Sequence, residues 1–123
     1  MNIGIDIVEH SRILQAVSRS GAGFIARVLS DEEQQRLGDV HENIHRFSGV
    51  WAAKEAAVKA LGSGFRDGIS FYDIQIQHNE DGAPAYHFSG AFKIRYLQCG
   101  YTRSALSISH CQSHAVAVAV FTR

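Results

Sequence analysis

The stretch WAAKEAAVKALGSG, residues 51–64, sets three charged side chains, Lys54, Glu55 and Lys59, in an otherwise small and apolar run. At helical spacing Glu55 and Lys59 lie one turn apart. As an i,i+4 surface pair they would add a few tenths of a kcal/mol. Their position argues for a second reading. Phe47, Trp51, Val58 and Leu61, spaced 4, 7 and 3 apart, form one apolar stripe. Lys54 falls inside it, Glu55 runs along its edge and Lys59 sits on the flank, where charges line a cleft or an interface. The helix alone does not choose between the two.

Asp6 is the second candidate. In NIGIDIV, residues 2–8, Ile3, Ile5 and Ile7 alternate with Gly4, Asp6 and Val8, so the carboxylate points away from the isoleucine face. It is either a residue on the wet face of a half-buried strand or a metal ligand. Two carboxylates from different elements, such as Asp6 and Glu55, are what Mg²⁺ takes from a protein, with waters and substrate phosphates completing its shell.

The third candidate is His110, which closes SISH at 107–110. Ser107 and Ser109 share one strand face, Ile108 and His110 the other. Such a histidine is structural, or it donates a hydrogen bond to a phosphate or sugar. Two further pairings carry little. His41 and His45 have i,i+4 spacing but lack a third zinc ligand. Cys111 and His110, adjacent on a strand, point to opposite faces and make a poor nucleophile and base.

The elements that must position these groups can be read along the chain. A strand at 2–8 leads into HSRILQAVSRSG, a short helix capped by Ser11 and stopped near Gly21, with Ile13, Leu14 and Val17 inward. Arg12 and Arg19, seven apart, emerge on one side of it. FIARVL (24–29) continues an apolar segment, and Ser30 with Glu33 forms a capping box for a helix ending at Gly38. Asn43 opens a long helix from about Ile44 to Leu61, with Gly62 as its stop. SFYDIQIQH (70–78) reads as a strand, NEDG as a turn and AYHF (85–88) as the returning strand. A helix between Ser89 and Gly100 precedes a closing hairpin, SALSISH and HAVAVAVF, around Cys111–Ser113. The order predicts one α+β domain spanning 1–123, a mostly antiparallel sheet packed with helices that include one long central helix.

Composition narrows the function. The chain has 123 residues, enough for a real core, and 12 basic residues balance 12 acidic ones. Nothing global points to nucleic acid, so an anionic partner must meet a local basic patch. The two cysteines, Cys99 and Cys111, show no CxxC spacing and read as free thiols. No basic-then-apolar leader pattern opens the sequence, and the longest apolar run, AVAVAVF at 115–121, suits a buried strand rather than a membrane span. The expectation is a soluble protein of the reducing cytoplasm, with no membrane.

Together, GIDIVEHSRI near the start, WAAKEAAVKALGSGF in the middle and LSISH followed by AVAVAV at the end resemble the holo-[acyl-carrier-protein] synthases, the short members of the 4'-phosphopantetheinyl transferase superfamily. FIARVLSDEE and GISFYDIQI agree more weakly, and the match runs in order along nearly the whole chain. The resemblance implies that coenzyme A donates its phosphopantetheine arm to a serine of apo acyl carrier protein, releasing adenosine 3',5'-bisphosphate. It implies Asp6 and Glu55 as ligands of Mg²⁺ or Mn²⁺, and Lys59 as the cation beside the transferring phosphoryl, with Lys54 close by. The serine proton is assigned to a water at the Asp6–Glu55 site.

Coenzyme A contacts are implied at His110, Lys54, Arg46 and Gly62. The family's active sites lie between protomers of a homotrimer, so His110 would serve a neighbour's Asp6 and Glu55. Arg12, Arg19 and Arg27 match basic positions that meet the acidic recognition helix of acyl carrier protein. In the family a basic residue often precedes the central aromatic, where this chain has Gly49-Val50, and a Gly-Lys-Pro follows the central strand, where it has Gly82-Ala83-Pro84. Coenzyme A phosphates must then rely on Arg46 or another residue. The alternatives are the same transfer to a polyketide or nonribosomal carrier domain, and a non-catalytic carrier-protein binder. The second predicts loss of Asp6, Glu55 or Lys59, and all three are present.

Overall fold

Alternation at strand period builds the first element, β1 (Asn2–Glu9), in a computed structural model that describes residues 1–123. Three short helices follow: α1 (His10–Ser20), α2 (Ala22–Val28) and α3 (Asp31–Leu37). The long helix α4 (Ile44–Leu61) comes next, then a 3₁₀ turn (Phe71–Asp73), β2 (Ile74–His78) and β3 (Pro84–Phe88). Helix α5 (Gly90–Gln98) leads to β4 (Arg103–His110) and β5 (His114–Thr122). One antiparallel sheet has the order β1-β5-β4, and β2 and β3 form a second, also antiparallel. The α+β class and the antiparallel pairing are those expected.

Several local expectations meet a different outcome. Glu9, not Ser11, occupies the N-cap of α1, and Ser11 lies exposed inside the helix. The apolar segment at 24–29 is helical within α2 as far as Val28, and Leu29 caps that helix in extended backbone. The strand expected from residue 70 begins at Ile74, because Ser70 and Asp73 cap a 3₁₀ turn first. His41 falls in a turn before α4, beside Asp39, so the helical His41–His45 spacing is not realised. The Ser30–Glu33 capping box and the αL stop at Gly62 are both formed.

Helix α4 lies across the inner face of the sheet, against β1 and β5. It is buried almost all round: Ala52, Ala53, Ala56, Ala57 and Ala60 pack inward alongside Phe47, Val58 and Leu61, while Trp51 is half-buried. Small side chains are what let helix and sheet approach. A Cβ on Gly4 would stand 2.0 Å from the Ala56 carbonyl oxygen, so β1 can seat on α4 only with glycine there. On β5, Ala115, Ala117 and Ala119 turn to the same side, and Phe121 anchors a cluster of Tyr86, Phe88, Phe92, Tyr96 and Tyr101 with centroids 5.2–6.2 Å away.

The inner face of β1 is therefore Gly4, Asp6 and Val8, and the isoleucines face outward. Ile3, Ile5 and Ile7 are 59%, 58% and 65% exposed. Val120, Val118 and Val116 of β5 stand opposite them in register, and Ala105, Ser107 and Ser109 of β4 complete the rows. A contiguous apolar sheet face thus lies open to solvent. No helix is long and apolar enough to cross a membrane.

Candidate active site

Gly4 brings β1 onto α4, and two residues on that contact carries Asp6 against the C-terminal half of the helix. The Asp6 side chain is only 10% exposed, which overturns the wet-face reading. Its Oδ1 accepts a hydrogen bond from Lys59 Nζ at 2.8 Å, and the same ammonium donates to the Ile5 carbonyl at 3.1 Å. Of the two readings of Lys59, the Glu55–Lys59 surface pair is therefore not the one realised, since the ammonium bridges from helix to strand. Asp6 Oδ2 is buried with no hydrogen-bond partner.

Glu55 lies one helical turn before Lys59 and is half-buried. Burial pushes its carboxyl above the usual range, the nearby Asp6 charge pushes further, and Lys59 partly offsets both. Two carboxylates thus share one ammonium, leaving an orphaned buried oxygen and an excess of negative charge. That donor set fits a divalent cation: hard oxygens from two elements, one of them still lacking a partner.

Lys54 requires a correction. It is completely buried, and its ammonium donates to Glu33 Oε1 at 2.7 Å, to the Val28 carbonyl at 2.7 Å and to the Phe71 carbonyl at 3.1 Å. Three donors meet three acceptors, so nothing is left for coenzyme A. Burial pulls the ammonium below its ordinary value and Glu33 draws it partly back. Gly62 caps α4 through its N–H to Val58 and Lys59 carbonyls, one turn past Lys59.

His110 and Arg46 open onto a groove of about 500 Å³ between α3, the first half of α4, the β2–β3 hairpin and the end of β4. Ile108 shares the inner face with His110, as the alternation requires, and its methyl crowds Gly49 at 3.0 Å from where a Cβ would stand. Asp6, Glu55 and Lys59 do not line this groove. Glu55 follows Arg46 by nine residues, about 13 Å along the helix axis. His110 and the carboxylate pair of one chain are therefore not brought together.

Sequence reasoning missed Arg36 and gave His45 the wrong context. Both line the groove. The His45 ring lies against those of His10 and His110, tilted by 32° and 34°, with centroids 4.3 and 5.4 Å away. Arg36 had no signal, since it stands on a different helix. The adjacency of His45 and Arg46 was the one available hint. Cys111 lies in the β4–β5 turn, its thiol drawn down by Ser113, and both cysteines are free. Arg12, Arg19 and Arg27 are all exposed on α1 and α2.

Residues 2–119 match the family model of the 4'-phosphopantetheinyl transferase superfamily. The holo-[acyl-carrier-protein] synthase of Verminephrobacter eiseniae is 38% identical over 120 residues, 98% of this chain and 92% of that protein. Among solved structures, the synthase of Neisseria meningitidis superimposes with a TM-score of 0.91 at 31% identity, covering 99% of this chain and 98% of that one. The Helicobacter pylori synthase, in complex with coenzyme A, gives 0.85 at 34% identity over 98% and 99%. The chain belongs to the 4'-phosphopantetheinyl transferase superfamily. Within it, the similarity is to the holo-[acyl-carrier-protein] synthases over nearly their full length.

Proposed function

We propose that this chain transfers the 4'-phosphopantetheine arm of coenzyme A to a serine of apo acyl carrier protein, as a holo-[acyl-carrier-protein] synthase of cytoplasmic fatty acid biosynthesis. The observation that carries the site is the Asp6–Glu55–Lys59 constellation, with an unpartnered buried oxygen on Asp6. Asp6 and Glu55 would hold Mg²⁺ or Mn²⁺, which when bound neutralises the pyrophosphate. Lys59 is half exposed and reaches the same place, so it can turn from Asp6 toward the transferring phosphoryl and stabilise its charge. The proton lost by the serine would pass to a water held at the Asp6–Glu55 site.

The working unit is a homotrimer with active sites between protomers. The open isoleucine–valine sheet face supports this, because an apolar patch of that continuity on a soluble chain marks an interaction surface. The distance between groove and carboxylate pair supports it too. One copy's groove, with Arg46 and His110, would complete a neighbour's Asp6, Glu55 and Lys59. Arg12, Arg19 and Arg27 form the exposed basic patch for an acidic carrier protein.

The test is the mass of apo acyl carrier protein after incubation with this protein, coenzyme A and Mg²⁺, with an EDTA control. A gain of one phosphopantetheine that EDTA abolishes is the expected result. If fatty-acid, polyketide and nonribosomal carriers all stay unmodified, the transferase reading is wrong and a non-catalytic binder takes its place.

A further inference from the structure

Helix α2 is held in place by side chains that come from elsewhere. It has seven residues, follows Gly21 without a side-chain cap and ends in extended backbone at Leu29. A helix that short does not hold its own shape or direction. Two carbonyls near its end supply the anchorage. Ala26 accepts a hydrogen bond from the Tyr72 hydroxyl, and Val28 accepts one from Lys54 Nζ at 2.7 Å. Both donors belong to one bracket. Lys54 Nζ also donates to the Phe71 carbonyl at 3.1 Å, and Phe71 precedes Tyr72 in the 3₁₀ turn.

The residue between those two carbonyls is Arg27. It is exposed, it takes part in no ion pair, and its guanidinium lies 6.0 Å from the centroid of the Phe24 ring. At the other end of the tie, Lys54 directly precedes Glu55 on α4. A single hydrogen bond of 2.7 Å therefore separates the neighbour of Arg27 from the neighbour of Glu55. The lysine end has no slack, being fully buried with its charge met by Glu33. The tyrosine end is open. Tyr72 is 46% exposed, so its hydroxyl reaches Ala26 from the surface and fixes α2 without being part of the core.

We infer that Lys54 and Tyr72 are positioning residues for the carrier protein: by holding the carbonyls on either side of Arg27, they fix that arginine in register with Glu55. This rests on the transferase reading, in which Arg27 meets the acidic carrier and Glu55 the metal. A carrier docked on α2 must present its serine hydroxyl at the carboxylate pair, and a nucleophile reacts only from near-attack geometry. Slack in α2 leaves the charge of Arg27 available for docking but lets the docked serine wander. Lys54 and Tyr72 thus act through Arg27, and their removal lowers turnover more than it weakens either substrate.

The test is the steady-state modification of apo acyl carrier protein by the wild type, by Tyr72→Phe and by Lys54→Met combined with Glu33→Gln, each with and without Arg27→Ala. The paired substitution removes both buried charges together, so neither is left uncompensated. Tyr72→Phe removes one hydroxyl at the surface, so it folds even if the paired variant does not. Tyr72→Phe should lower kcat about fivefold, the worth of one hydrogen bond, with the KM for coenzyme A unchanged. Arg27→Ala should then cost less in either background than in the wild type, the non-additivity of groups that act together. A purely structural tie would lower the melting temperature, leave kcat of the folded enzyme alone and add to Arg27→Ala independently. The inference is overturned by a wild-type kcat in Tyr72→Phe, by additive effects, or by an Arg27→Ala variant that modifies the carrier as the wild type does. An active wild type with unaffected variants ends this inference alone, whereas a wild type that modifies no carrier ends the transferase reading and this inference with it.

Discussion

Lys54 and Lys59 stand five residues apart on α4, about 140° around the helix, and each meets one carboxylate from a distant element. Their surroundings differ in every other respect. Lys54 is sealed in the core, its three donors matched by three acceptors from the end of α2, from α3 and from the 3₁₀ turn. Glu33 is equally saturated and caps its own helix. Lys59 is 53% exposed, Asp6 keeps one buried oxygen unpartnered, and Glu55 adds a second carboxylate without a second ammonium. A saturated pair fastens elements together. An unsaturated one holds charge and donors in reserve for a ligand, at some cost in stability.

The largest expected effect comes from breaking the saturated pair. Lys54→Met leaves the Glu33 carboxylate buried without its cation and should cost about 3–5 kcal/mol in urea denaturation. A loss under about 1 kcal/mol would mean that the buried pair fastens nothing. The opposite pattern is expected at Asp6. Asp6→Asn keeps an acceptor for Lys59 and relieves the crowding with Glu55, so the melting temperature should shift by only a few degrees. Carrier-protein modification should fall about 10²–10³-fold, the loss of several kcal/mol of transition-state stabilisation. An Asp6→Asn variant with wild-type turnover would dissolve the contrast.

The smallest effect sharpens the comparison most. Burial and Asp6 raise the Glu55 carboxyl above its unfolded value, so folding favours its protonated form. Its contribution to stability is complete below the unfolded value and is lost as the pH rises through the folded one. In metal-free protein Glu55→Gln should therefore melt a few degrees above wild type at neutral pH, and the gap should close on acidification. Thermal melts in EDTA across that range would show it. The variant should also lose metal-dependent turnover. A gap that widens toward low pH would contradict the placement of Glu55 beside Asp6.

Much of the fold was legible because its signals are local. The bounds of α4 at Ile44 and Leu61 follow from helical periodicity and from a glycine free to adopt φ 79° at the stop. The capping box of α3 needs only residues three apart, and the closing hairpin needs only two alternating runs around a short turn. The isoleucine alternation of β1 was equally plain, yet it could not say which face was inner. Period two separates two faces without ranking them. Here glycine and aspartate won the inner side, because the close packing of α4 on β1 leaves no room for a branched side chain at position 4.

For the site, the sequence by itself determined the residue types: two carboxylates on different elements, a lysine one turn after one of them, and a histidine at a strand end. It could not divide the labour between two lysines of one helix, since Lys54 meets a carboxylate 21 positions away and Lys59 one 53 positions away. Periodicity has no term for such contacts. The tertiary structure alone decided that Lys54 is a fastening, that Lys59 bridges to Asp6 rather than Glu55, and that Arg36, His45 and His110 share a groove. The reason is physical: pairing depends on which groups burial deprives of water together, and only the packed chain sets that.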